Sequence, residues 1–207
     1  MRLLAIETAT EACSVALFDG EDLRDHDHRI LGRGHAEQLV PMIAGLPDRG
    51  RAERILLALG PGSFTGIRIG IATARALALV WRAEVLGYPT LALVAAMARA
   101  EAGDQPVGVA MNGGHGEWFV QSFGADGAPM SETGSFVPDE AVAVVQGDLV
   151  AGSRAEDLVA MRGGGTALPL HPDARFALQL PSRCLSPEIR PVYGRPPDAK
   201  PMARPAA

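Results

Sequence analysis

Residues 54–82, RILLALGPGSFTGIRIGIATARALALVWR, constrain this chain more than any other stretch. Arg54 to Leu59 is a short apolar run closed by Gly60, the pattern of a strand buried on both faces. Gly60-Pro61-Gly62-Ser63 can neither continue a strand nor open an ordinary helix, so the chain turns there. Ser63 or Thr65 can cap the next helix, because either hydroxyl can accept from a free N–H two or three residues on. From Gly66 the spacing is helical and apolar nearly all round: Ile67, Ile69, Ile71, Leu77, Leu79, Val80 and Trp81 cover more than one face. Arg68, Arg75 and Arg82 leave a single polar stripe. A helix of this kind lies deep in a core or is pinned between two bodies. Gly66, Gly70, Ala74 and Ala78, four apart, form a smooth ridge that admits close approach of another element. Glycine inside a helix costs about 1 kcal/mol against alanine, so the ridge has a packing purpose. Spacing alone leaves two occupants open: a partner helix, or the chain's own sheet.

The glycine turn fails the nucleotide and nucleophile patterns. A Walker A loop needs a lysine, and none stands here. The dinucleotide fingerprint finds Gly60 and Gly62 but Thr65 in its third place, with Glu84 near the position of a ribose-binding acid. A nucleophile elbow would put glycines where Pro61 and Thr65 flank Ser63. A structural or interface turn is the best reading.

Composition narrows the partners. The chain has 207 residues, 47% hydrophobic and 21% charged, enough for one large domain or two small lobes. The net charge is −5, without the basic face that grips phosphates, so a role on RNA is expected to be indirect. Cys13 and Cys184 form no metal or redox spacing and fit a reduced compartment. The N-terminus has no basic region followed by an apolar signal core. The helix after Gly66 is short for a bilayer and broken by arginine. A cytoplasmic protein without membrane contact is expected.

Along the chain, Arg2–Ile6 and Cys13–Phe18 read as strands around the polar turn Glu7–Glu11. Asp19-Gly20 signals a hairpin into a polar strand from Leu23 to Ile30. His26 and His28 share one face of that strand; a solvated face is favoured over a metal pair, for want of a third ligand. Gly34–Leu46 is helical, kinked or split at Pro41. Val85–Tyr88 is a strand and Leu91–Ala102 a helix. The order then restarts: strand Val107–Met111, turn Asn112–Gly116, strand Glu117–Phe123, strand Met130–Val137, a short helix to Gln146 and strand Leu149–Ala151. Pro172–Leu180 is a further helix candidate. The expected division is a first lobe over 1–103, a smaller α/β lobe over 104–195 and a flexible tail over 196–207.

Two successive β-β-β-α-β units predict a two-lobed α/β fold of the actin-like, RNase-H-like (ASKHA) class with a shortened second lobe. In active members each first hairpin clamps nucleotide phosphates, with an acid ending its first strand. The positions here are Glu7 with the Thr8–Thr10 turn, and Asn112 with Gly113-Gly114. The second hairpin lacks the acid, so a complete ATPase site is not expected.

LLAIETATEACSVAL, HAEQLVPMI and ALGPGSFTGIRIGIATARALAL closely resemble the bacterial TsaB (YeaZ) family, and MNGGHGEWF and PVYGRPPDAKP resemble it more weakly. The resemblance implies an actin-like fold and a non-catalytic subunit in tRNA modification. Its partners would be a TsaD-type paralogue and a TsaE-type ATPase, and the product threonylcarbamoyladenosine at position 37 of tRNAs reading codons that start with A. It implies no cofactor and no metal, self-pairing when alone, and contact with tRNA only through the complex. TsaD carries a His-x3-His pair, which this chain lacks. Family members pair through first-lobe helices. Carried onto this chain, the interface is His35, Leu39, Met42 and Ile43 with Ser63, Phe64, Gly66, Ile67, Gly70, Ile71, Ala74, Arg75 and Ala78. The chain departs from the family in a short Pro47–Glu53 link, in Asn112-Gly113-Gly114 and in a trimmed second lobe. The alternatives are an actin-fold kinase, a metal-independent peptidase with Ser63 and His35 as its one conceivable pairing, and a dinucleotide-binding module.

Overall fold

The structure, a computed structural model, describes residues 1–194. The expected tail lies outside the described residues. The first half runs β1 (Arg2–Glu7), β2 (Ala12–Asp19), β3 (Asp22–Ile30), α1 (His35–Gly45), β4 (Arg54–Ala58), α2 (Phe64–Trp81), β5 (Glu84–Tyr88) and α3 (Thr90–Ala102). Its sheet has the order β3-β2-β1-β4-β5. β2 is antiparallel to β1 and β3, while β1, β4 and β5 are parallel. Sequence accounts for this order. β1, β2 and β4 are apolar on both faces and buried, so they sit centrally, while charged β3 forms an edge.

The second half runs β6 (Val107–Gly114), β7 (Glu117–Phe123), β8 (Gly134–Phe136), α4 (Pro138–Val144), β9 (Leu149–Ala151), α5 (Ala155–Arg162) and β10 (Thr166–Leu168). Its sheet order, β8-β7-β6-β9-β10, repeats that of the first with the same parallel and antiparallel pairings. This duplicated topology is the two-lobed actin-like fold. α3 lies between the lobes, buried from Thr90 to Ala98, so one apolar core runs from Leu4 and Ile6 through the helix to Val107, Val109 and Phe119. The second lobe is the slighter: β8, β9 and β10 have three residues each.

Several expectations need correction. α1 is not split at Pro41 but continues through it, and Pro41 lies on its exposed face. β6 extends through Gly114, leaving the turn to His115 and Gly116. The strand expected over 130–137 contracts to β8. Residues 172–180 form a 3-10 turn, Ala174–Gln179, instead of an α-helix. α5 and β10 occupy a stretch where periodicity gives no signal; α5 is too short and polar for an apolar stripe to register. Beyond them the chain returns to the first lobe. Ser186 and Gly87 exchange backbone hydrogen bonds of 2.7 and 2.9 Å beside β5, and the Val192 amide donates to the Leu59 carbonyl at 2.7 Å.

Candidate functional site

The glycine turn is a seat for α2. Ser63 caps the helix, its Oγ accepting from the Gly66 amide at 3.3 Å. The Ser63 amide donates to the Ala9 carbonyl at 2.6 Å, and the Thr8 hydroxyl to the Gly66 carbonyl at 2.9 Å. These bonds require backbones in contact. A Cβ on Gly62 would lie 1.9 Å from the Ala9 oxygen, and one on Gly66 2.1 Å from the Thr8 oxygen. On Gly70 it would meet Thr8 Oγ1 at 2.5 Å. Gly66 and Gly70 of the small-residue ridge therefore pack on the chain's own β1–β2 turn and, at Leu57 of β4, on its sheet, the second of the two occupants that spacing left open.

Most of the side chains expected at a partner interface face inward in this fold. His35, Leu39, Met42, Ile43, Gly66, Ile67, Gly70, Ile71 and Ala74 are buried inside the first lobe. A residue that fills its own core cannot also present its side chain to a partner. Ser63, Phe64 and Arg75 are exposed and Ala78 is half-buried. Only five of the 18 residues of α2 are buried, although the helix is apolar enough by length and composition to cross a membrane. Its outer face carries Phe64, Ala72, Ala76, Leu79 and Val80, with Leu79 83% and Val80 77% exposed. Val40 and Ala44 of α1 are exposed as well. Period 3.6 marks the apolar positions of such a helix but does not say which of two apolar faces meets the sheet. The missing signal was available in the glycines, which mark the face of closest approach.

A cleft of about 1100 Å³ opens between the lobes where the two hairpins face each other. The first lobe lines it with Thr10, Glu11 and the start of α2. The second lines it with Asn112, Gly113, Gly114 and Phe119, and Tyr193 closes one side. Glu7, the acid expected to face phosphates, is not among its walls. Its carboxyl is fully buried, with Oε1 accepting from the Ala9 amide at 2.7 Å and Oε2 unpaired among the described residues. Burial pushes its pKa up to about 8; the Ala9 amide, the nearby Thr90 hydroxyl and the Thr8 amide pull it back only in part. At neutral pH Glu7 is thus chiefly the neutral acid. The Thr90 Oγ1, like Glu7 Oε2, completes no hydrogen bond of normal geometry. Burial, and then the charged form of Glu7, also holds the Tyr88 hydroxyl well above its ordinary value while it donates to the Ile6 carbonyl at 3.0 Å. At the other hairpin, Asn112 Oδ1 accepts from the Gly114 amide at 3.2 Å.

The alternative sites do not assemble. Gly60 and Gly62 are filled by the chain's own backbone, since a Cβ on Gly60 would lie 2.6 Å from the Val192 oxygen, and Glu84 pairs with Arg54 at 2.8 Å. Ser63 is occupied as a cap, and His35 Nε2 lies 3.1 Å from the Ala12 carbonyl, so the two form no nucleophile–base pair. His26 is exposed, and among the described residues no group of three or more His, Cys, Asp or Glu side chains is placed to hold a metal. Sequence reasoning missed Asp173, 3% exposed, which ties the 3-10 turn to the first sheet. It accepts from Ser14 Oγ at 3.3 Å and pairs with Arg175 at 2.7 Å. Burial would raise its pKa, but the Arg175 side chain and backbone amide outweigh burial and hold it low.

Fold and site together define a class: an actin-like protein whose first-lobe acid is sealed away from the cleft and whose longest helix shows an apolar face outward. Comparison with known proteins narrows the class. A family model described as "TsaD: tRNA N6-adenosine threonylcarbamoyltransferase" matches residues 29–163. The "tRNA threonylcarbamoyladenosine biosynthesis protein TsaB" of Escherichia coli is 36% identical over 155 residues, covering 72% of this chain and 64% of that protein, just under two thirds of its length. The protein of the same description from Haemophilus influenzae is 40% identical over 85 residues, 38% of this chain and 35% of that one. The solved structure of YeaZ from Pseudomonas aeruginosa superimposes with a TM-score of 0.77 at 28% identity, covering 93% of this chain and 99% of that chain. The chain belongs to this threonylcarbamoyltransferase-related family, within its TsaB (YeaZ) group.

Proposed function

We propose that this chain is a non-catalytic scaffold subunit in the formation of N6-threonylcarbamoyladenosine at position 37 of tRNAs that read codons starting with A. It works in the cytoplasm, with a TsaD-type paralogue as its direct partner and a TsaE-type ATPase joining the complex. In this reading it pairs with itself when alone and meets tRNA only through the assembly. The observation that carries the proposal is the outer face of α2, where Leu79 and Val80 stand almost fully exposed beside Ala72 and Ala76. Large apolar side chains grouped and exposed on one helix face favour a protein contact. The names of the E. coli and H. influenzae relatives support the pathway. The sealed Glu7 supports the non-catalytic part: a neutral, buried acid is not presented to a ligand in the cleft.

The test is to mix the purified chain with the TsaD-type protein of its own organism and follow mass by light scattering. Modification of tRNA is then measured with and without the chain. A discrete heteromeric complex and modification that depends on the chain are expected. Absence of a complex in the presence of the ATPase, ATP and tRNA would refute the reading.

A further inference from the structure

The segment 186–194 runs along α2 and, at Tyr193 and Gly194, lines the cleft between the lobes. The Arg75 guanidinium donates to the Ile189 carbonyl at 3.0 Å, and Arg68 Nε donates to the Tyr193 hydroxyl at 3.3 Å. Tyr193 stacks on Phe64 with ring centroids 5.3 Å apart, and the Arg68 guanidinium lies 3.6 Å from the centre of the Phe64 ring. Two of the three arginines that the sequence shows as a polar stripe, Arg68 and Arg75, are therefore clamps on this strap. Its end is wedged. A Cβ on Gly194 would lie 2.3 Å from the Phe119 ring of the second lobe and 3.0 Å from Pro61 of the first. Tyr193 and Gly194 both line the inter-lobe cleft. One continuous strip of chain thus touches the outer helix and the gap between the lobes.

We infer that the 186–194 strap relays docking on α2 to the inter-lobe cleft: a protein seated on the helix repositions Tyr193, and Gly194 transmits that shift to the spacing of Pro61 and Phe119. The inference rests on the docking role proposed above and adds regulation to it. Phe64 and Arg68 belong to α2 and to the cleft wall at once, so a partner that covers α2 meets the same side chains that hold the strap. The side-chain contacts that hold the strap to α2 lie at the surface, with Val192 39% and Tyr193 41% exposed, so this part of the strap can shift without opening the core.

Hydrogen exchange read by mass spectrometry tests the relay in the free chain and in the complex with the TsaD-type protein. Docking is expected to slow exchange across residues 110–119 about threefold or more. The variant Tyr193→Ala, which leaves every side chain of α2 in place, should bind and lose that slowing. A complex in which this hairpin does not respond, or responds equally in Tyr193→Ala, overturns the relay and leaves the docking reading intact. No complex overturns both. Gly194→Ala, measured on the free chain, reads the far end without a partner. Its added methyl should speed exchange about threefold or more at the Val192 amide and across 110–119. An unchanged pattern overturns the relay.

Discussion

The two lobes share a strand order and a way of seating a helix, yet put the helix to different use. In the first, the amide of Ser63 enters α2 by donating to Ala9; in the second, the amide of Arg154 enters α5 by donating to Ala110 at 3.0 Å. Each seat needs a glycine, because a Cβ on Gly62 or Gly152 would lie 1.9 or 2.3 Å from the accepting carbonyl oxygen. No residue-by-residue repeat reveals this; the recurrence lies in backbone contact. The helices then diverge. α2 has 18 residues and exposes Leu79 and Val80, while α5 has eight and carries Glu156 and Asp157 in its first turn. Shared topology fixes where a helix must start, and the freedom left is how far it extends and what it shows to the outside.

The comparison breaks most visibly at the glycines. Gly62→Val and Gly152→Val should each destabilise by about 3 kcal/mol or more, since the new side chain meets backbone that cannot yield. Urea denaturation would measure both. A tolerated Gly152→Val would mean that the second seat is looser than the first, despite its left-handed φ of 115°.

Glu7 gives the next largest effect and belongs to the first lobe alone. Its pKa of about 8 in the fold lies above its value in the unfolded chain. The unfolded state therefore releases the proton first, and the stability held by the neutral acid is fully present below the unfolded pKa. It is lost as pH rises through the window from about 4.5 to about 8. The loss is a few kcal/mol in order of magnitude at about 1.4 kcal/mol per pH unit. Glu7→Gln, which cannot ionise, should flatten the dependence and raise stability at pH 8. Thermal unfolding across pH 5 to 9 checks both statements; an unchanged slope in the variant would refute them.

Capping separates the helices more gently. Ser63→Ala should cost about 1 kcal/mol. Arg154 supplies no side-chain cap to α5, and its exposed pair with Asp157 is a surface ion pair, so Arg154→Ala should stay within about 0.5 kcal/mol. Paired denaturation curves would show the difference. The smallest change in stability is expected from Leu79→Glu/Val80→Glu, within about 0.5 kcal/mol, because both side chains are exposed. The same double variant should abolish the complex seen by light scattering. If the complex survives, the outer face of α2 is not the docking surface.

Much of the fold was legible. The continuous apolar runs of β1, β2 and β4 identify central strands, and the polar run of β3 identifies an edge. The capping rule narrows the cap of α2 to Ser63 or Thr65, and the fold uses Ser63. The site was legible only in outline. The helices proposed to carry it follow from the pattern, but the pattern does not say which face of α2 is buried, because both are apolar and only the glycines distinguish them. Glu7 looked like a ligand-facing acid, since nothing local distinguishes a carboxylate aimed at a cleft from one folded back on the amide of Ala9.

The sequence by itself determined the duplicated β-β-β-α-β order, the turn at Gly60–Ser63 and the close approach that Gly66 and Gly70 demand, because these depend on local periodicity and backbone sterics. Only the tertiary structure decided that the close approach is to Thr8 and Ala9, that Glu7 is neutral, and that Arg68 and Arg75 hold residues more than a hundred positions away. Each of these depends on which distant groups share a small volume and exclude water from it, and no spacing along the chain encodes that.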